Sequence, residues 1–186
     1  MKTIFKIFTI VSLLLSLSFG AKISGLVIPD TLQNGLVLNG AGVRSKWFLD
    51  LYVGGLYLKN KSSDALHIIN LDEAMAITLH ITSSLISSKK MQDATMEGFE
   101  NSTNKNIEPL KSRINKFINV FKEEIKDGDI YNFIYEPKDG VKIYKNSKFI
   151  TTIKGLEFKK ALFGIWLCDK PAQESLKKKM LNINTD

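Results

Sequence analysis

The side chains able to do chemistry are few and scattered. The chain has one cysteine, Cys168, and two histidines, His67 and His80. A nucleophilic thiol needs a base such as imidazole beside it, and neither histidine lies near Cys168 in sequence. Cys168 follows Trp166-Leu167 at the end of an apolar run, where a buried, inert thiol is expected. Two histidines so far apart make no metal set. His80 falls on the polar phase of an alternating segment, the place of a hydrogen-bonded structural imidazole. There is no GxSxG, GxxxxGK[ST], CxxC, HExxH or DxDxDG, so none of the nucleophile elbows, phosphate loops or metal loops those motifs build is expected. No metal and no cofactor is expected.

The 186 residues are 44% hydrophobic and 24% charged, which fits one globular domain. Lys2 and Lys6 precede an apolar stretch from Ile7 to Phe19, and Ser18-Phe19-Gly20 places small residues at a cleavage site. Residues 1–20 therefore read as a secretory signal peptide, and 21–186 as the domain. The apolar stretch is shorter than the roughly 20 residues of a spanning helix, and no later segment is long enough. The expectation is an exported, periplasmic protein with no membrane span in its mature form. The formal charge is +7, which falls to +5 without Lys2 and Lys6. No aromatic–basic motif accompanies it, so no nucleic-acid partner is expected. A single cysteine cannot close an internal disulfide, and the exported fold must stand on its core.

The elements that would position any site follow from periodicity. Ile23 to Ile28 and Leu36 to Val43 read as short strands. Trp47 to Leu58 reads as the longest, apolar on both phases and so covered on both faces. Ser62 to Ile69 reads as a short helix, and Ala74 to Thr82 as a strand with one polar face. A helix capped at Ser87 or Ser88 runs to Asn101 with Met91, Ala94 and Gly98 in one stripe. A second is capped by Asn106, with Pro109 in its first turn and Leu110, Ile114, Phe117, Ile118 and Phe121 on its apolar side. Ile130–Tyr135, Val141–Tyr144 and Phe149–Ile153 form a three-strand meander, turning at Asp139-Gly140 and Asn146-Ser147. Leu156 to Leu167 is helical, and Pro171 opens a last helix ending near Leu181. Strands and helices grouped this way argue an α+β fold, an antiparallel sheet covered by helices.

Three stretches carry a family resemblance. GAGVRSKWFLDLYVGGLYL (residues 40–58) resembles the turn-and-long-strand signature of the chalcone isomerase-like family. FINVFKEEIKDGD (117–129) is similar to its helix-to-strand junction. ALFGIWLCDKP (161–171) resembles the helix end of its exported bacterial members. The resemblance implies an open-faced β-sandwich, a large antiparallel sheet under a layer of helices, with a ligand cleft between them.

The resemblance also assigns site positions. It puts Arg44 on an arginine shared by the plant isomerases and the fatty-acid-binding members. It puts Tyr52 where isomerases carry threonine and fatty-acid binders carry tyrosine. The isomerase's helix tyrosine and asparagine fall on Met91 and Gly98, and its late threonine on Ile165. Cyclisation needs a held phenolate, a stabilised enolate and a delivered proton; Met91, Gly98 and Ile165 offer no donor for these. The implied function is binding of a hydrophobic small molecule such as a fatty acid, without catalysis, by Arg44 and Tyr52. The alternative is an isomerase, an intramolecular lyase, with Tyr52, Tyr57 or His80 as its acid or base. A third reading is a helper that binds another exported protein through its surface. At the residue level, Arg44 could instead pair with a carboxylate such as Asp50, and Tyr52 be an ordinary core tyrosine. Eight residues of straight strand span about 26 Å, so Arg44 and Tyr52 meet only if the chain turns near Ser45-Lys46.

Overall fold

The computed structural model describes residues 20–32 and 35–183. The expected signal peptide, up to residue 19, lies outside the described residues. The described residues form eight strands and five α-helices. They are β1 (Gly20–Ile23), β2 (Leu26–Pro29), β3 (Val37–Lys46), β4 (Leu49–Leu58), α1 (Ala65–Asn70), β5 (Met75–Ile81), α2 (Ser88–Ser102), α3 (Lys111–Ile118), β6 (Ile130–Glu136), β7 (Gly140–Lys145), β8 (Lys148–Ile153), α4 (Leu156–Leu167) and α5 (Glu174–Met180). Strands β3 to β8 form one antiparallel sheet in sequence order, and β1–β2 form a separate hairpin. The sheet is open and helices cover one of its faces, the expected α+β open-faced architecture.

The two apolar phases of β4 meet two different cores. Tyr52, Leu56 and Leu58 join Ile77, Leu79, Ile81, Tyr131 and Phe133 beneath the helices. Val53 and Tyr57 face the other way, with Ala76, against Ile28, Leu36 and Leu38 of the N-terminal segment. Helix α4 is buried along nearly all of Phe158 to Leu167, apolar except for Lys159 and Lys160, because the sheet and the other helices enclose it. Aromatic rings tie the layers. The Phe117 ring lies 5.1 Å from Phe133 on the sheet and 5.8 Å from Phe99 on α2, both edge-on.

Several boundaries differ from the sequence expectation. Ile23–Ile28 is a hairpin and not one strand, because Ser24 and Gly25 take positive φ and reverse the chain. The strand expected from Trp47 begins at Leu49, because Trp47 has φ +61° and turns the chain there. Asn106 caps no helix; Glu108–Leu110 is a 3-10 turn leading into α3, and a second one follows at Asn119–Phe121. Cys168 is half-buried and not fully enclosed. Lys159, on the buried α4, donates to the carbonyls of Ile68, Ile69 and Leu71 at 3.1, 2.9 and 2.6 Å and so terminates α1. Burial pushes its amine down to about 8.

Gly40 and Gly42 weaken β3 as a strand, and α5 explains them. A Cβ at Gly40 would strike the Lys179 carbonyl oxygen, and one at Gly42 would stand 2.7 Å from Lys179 Cβ. The glycines let the C-terminal helix lie on the backbone of an edge strand. Gly40→Ala must therefore lift α5. We expect it to lower stability by about 1–3 kcal/mol, the usual cost of overpacking, in chemical denaturation. Unchanged stability would mean that α5 is not seated there.

Candidate functional site

The β3–β4 hairpin brings the two predicted site residues together. The chain reverses at Trp47-Phe48, two residues later than the sequence suggests, and Arg44 then pairs directly with Tyr52 across the strands. The register slips between Arg44 and Ser45, so Ser45 faces Asp50. This bulge re-aims the strand end, as bulges beside binding sites do.

A cleft of about 620 Å³ opens between this hairpin, β5 and helices α2 and α4. That is within the roughly 300–1,000 Å³ usual for small-molecule sites. Arg44 and Tyr52 line it, and so do Met91, Gly98 and Ile165. All five positions picked out by the resemblance thus share one cavity. Leu51, Leu79, Ile86, Phe117 and Phe121 supply apolar wall. A second hollow of about 550 Å³ lies beside β1 and β3. Its buried polar side chain, Asn39, is spent on the Ser62 backbone and on the Met180 carbonyl, so it ties β3 to the segment after β4 and to the end of α5.

Arg44 is half-buried and held by neutral oxygens. Its Nη1 donates to the Ser45 carbonyl and to Gln173 Oε1, both at 2.9 Å. Gln173 also accepts from the Ser45 backbone N–H at 2.9 Å and donates to Ser175 Oγ at 2.6 Å, which fixes its amide at the start of α5. Among the described residues no carboxylate lies within 4.0 Å of the Arg44 guanidinium. Asp50, the competing partner, takes hydrogen bonds from Ser24 and Ser45 at 3.1 and 2.8 Å.

Tyr52 is buried, and its hydroxyl accepts from Trp166 Nε1 at 3.0 Å. Burial pushes its phenol above the ordinary value, with the Trp166 N–H and the nearby Arg44 cation pulling the other way. It stays protonated at neutral pH. With Trp166 occupying a lone pair, its own proton is available to an acceptor in the cleft. The other two acid–base candidates are elsewhere. Tyr57 lies on the opposite face of the sheet and its hydroxyl donates to the Pro29 carbonyl at 2.9 Å. His80 alternates with the helix-side residues Leu79 and Ile81, which turns it to that same far face. Burial pushes its imidazole down. Sequence reasoning missed Gln173 and Trp166. Each meets its partner from more than a hundred residues away, and no local pattern marks either.

An open antiparallel sheet, helices on one face and an apolar cleft between them define a class of α+β ligand-cleft folds. The profile described as chalcone isomerase-like matches residues 20–182, and the chain belongs to that family. Among solved structures it is similar to a fatty-acid binding protein of Arabidopsis thaliana, with a TM-score of 0.68 and 15% identity, over 85% of this chain and 92% of that one. At that identity the likeness is one of fold. No curated protein matches the chain.

The Tyr52–Trp166 bond yields a stability prediction. Tyr52→Phe keeps the ring but leaves the buried indole N–H without its partner. It should cost about 1–3 kcal/mol, the range for a buried polar group left unpaired, measured by denaturant unfolding. Trp166→Ala should cost more, about 3–5 kcal/mol, because it also opens a cavity in α4. Equal stability of Tyr52→Phe and wild type would show that the bond is not made.

Proposed function

We propose that this protein binds a hydrophobic carboxylate, such as a fatty acid, in the cleft between sheet and helices, without catalysis, and that it does so after export. Arg44 carries the reading: a half-buried, permanent cation held by an amide and a carbonyl, at the edge of an apolar cavity. A guanidinium offers a planar fork that can take both oxygens of a carboxylate. Tyr52 adds a neutral donor beside it. The apolar walls suit an acyl chain, and the fold of the Arabidopsis thaliana fatty-acid binding protein supports a ligand of that kind. The basic, then apolar, N-terminal segment supports export, and among the described residues no helix is long and apolar enough to cross a membrane.

The isomerase alternative needs a general acid or base in the cleft. Tyr57 and His80 face away from it, and Tyr52, with its phenol pushed up, can donate a proton but cannot act as a base near neutral pH. Met91, Gly98 and Ile165 add no proton donor, and Lys90, Asp93 and Glu97, which also line the cleft, are exposed on α2, with Asp93 paired to Lys89. The observations therefore favour binding over turnover.

Calorimetric titration with oleate tests the clamp. Arg44→Ala should weaken binding by about 1.5–3 kcal/mol, the scale of a hydrogen bond to a charged group, with folding nearly intact. Arg44→Lys should recover part of the loss, since an ammonium has no fork. Gln173→Glu keeps the geometry but sets a carboxylate on the cation, so it should weaken oleate binding as Arg44→Ala does. Wild-type affinity in Arg44→Ala, or a drop in its thermal stability without any change in binding, would end the anion-clamp reading.

A further inference from the structure

The tight turns of this protein are of two kinds. Ser24-Gly25, Lys138 with Gly140, and Asn146-Ser147 take positive φ with small or polar residues, as such turns favour. The β3–β4 tip does not. Trp47 has φ +61°, a costly conformation for a bulky aromatic, and Phe48 follows it. Trp47 is 86% exposed and Phe48 98%. Leu49 and Leu85 are about half exposed beside them, and Trp47, Leu49 and Leu85 line the same cleft as Arg44. Single exposed apolar side chains are ordinary. Two aromatics at the apex of a strained turn, next to the mouth of an apolar cleft, are not required by folding. Glycine at the first tip position would turn the chain without strain.

We propose that this tip inserts into the surface of a lipid bilayer and sets the cleft mouth against it. A hydrophobic ligand could then pass between bilayer and cleft without crossing water, an idea that rests on the ligand reading above. The chemistry of the tip fits that partner. Aromatic side chains settle at the membrane–water boundary, where the ring is buried and any polar edge stays wet. Lys46, next to Trp47, and Lys90 line the same mouth; their long stems can lie along apolar surface with the ammonium among anionic headgroups. Asp93 and Glu97 are also at the rim, and Lys89 pairs with Asp93. A second copy of this chain is a poorer occupant. A two-residue apex is small and protruding, whereas a standard protein interface takes about 800 Å² from each partner.

Tryptophan emission tests the proposal on the full-length chain. Trp166 is 5% exposed but lines the cleft as Trp47 does, so each measurement is paired with Trp47→Phe, in which only Trp166 emits, and the difference reports Trp47. Residues 1–19 contain no tryptophan, so association through that segment does not itself give the signal. Vesicles of phosphatidylethanolamine and phosphatidylglycerol should shift Trp47 emission to the blue, and brominated acyl chains should quench it. Phe48→Ser keeps the reporter and should lower the equilibrium between inserted and withdrawn tip by roughly tenfold, the effect of removing one aromatic side chain from the apolar phase. Trp47 emission that vesicles leave unchanged overturns the proposal. So does a blue shift that appears without lipid and grows with protein concentration, which assigns the tip to a second copy. Oleate binding in lipid-free solution is measured separately on the same protein. Its loss removes the ligand reading, while the vesicle result alone decides the docking.

Discussion

Strand β4 has no polar face, and the rest of the structure answers to that. Tyr52, Leu56 and Leu58 need cover on one side, Val53 and Tyr57 on the other. Helices serve the first and the N-terminal hairpin serves the second. A strand buried on both sides cannot stand at a bare edge, so β3 and β5 flank it. β3, itself the edge, is shielded in turn by α5, which lies close because Gly40 and Gly42 carry no side chain. The helix layer is then hung on α4, the most deeply buried helix among the described residues. Burying Lys159 within it is tolerated because the ammonium ends α1.

The cleft lies where this helix layer does not close on the β3–β4 hairpin. Its chemistry is set by two residues in contact. A Cβ on Gly98 would stand 2.7 Å from Ile165 Cγ2, so glycine on α2 and isoleucine on α4 accommodate each other. The two positions where the resemblance places an asparagine and a threonine are thus filled by one apolar contact. An asparagine at residue 98 would collide with Ile165. The absence of a proton donor at these two positions is thus part of the packing of α2 on α4.

Most of the architecture was legible because it rests on period. The meander β6–β7–β8 alternates with period two between turn residues, and α4 runs over the residues its apolar pattern marks. The tip at Trp47-Phe48 was hidden for a physical reason. Apolar residues inside a hydrophobic run read as strand, since residue type does not distinguish an aromatic in the core from one held out in solvent. The turn at Ser24-Gly25 was masked likewise by apolar neighbours on both sides. Arg44 and Tyr52 were legible through family likeness, and their pairing depended on a turn whose place the pattern misjudged. Gln173 and Lys159 left no trace, because an amide or an amine reads as surface until the fold shows what it touches.

The hidden glutamine changes what the arginine means. A carboxylate in place of the Gln173 amide would orient the guanidinium equally well, but it would cancel the charge and compete with any incoming anion. An amide and a backbone carbonyl orient it with dipoles only. They satisfy part of the guanidinium's five donors and leave the net charge in place. A cation in a half-buried site, where screening is weaker than in open water, keeps a strong attraction for an anion. The neighbouring phenol reinforces this, because burial holds it neutral and protonated; ionised, it would itself be the counterion. In the proposed binding mode, two donors with no carboxylate against them, set at one end of the cavity, distinguish a carboxylate from a neutral head group of the same size. That distinction depends on an absent charge at residue 173 as much as on the charge at residue 44.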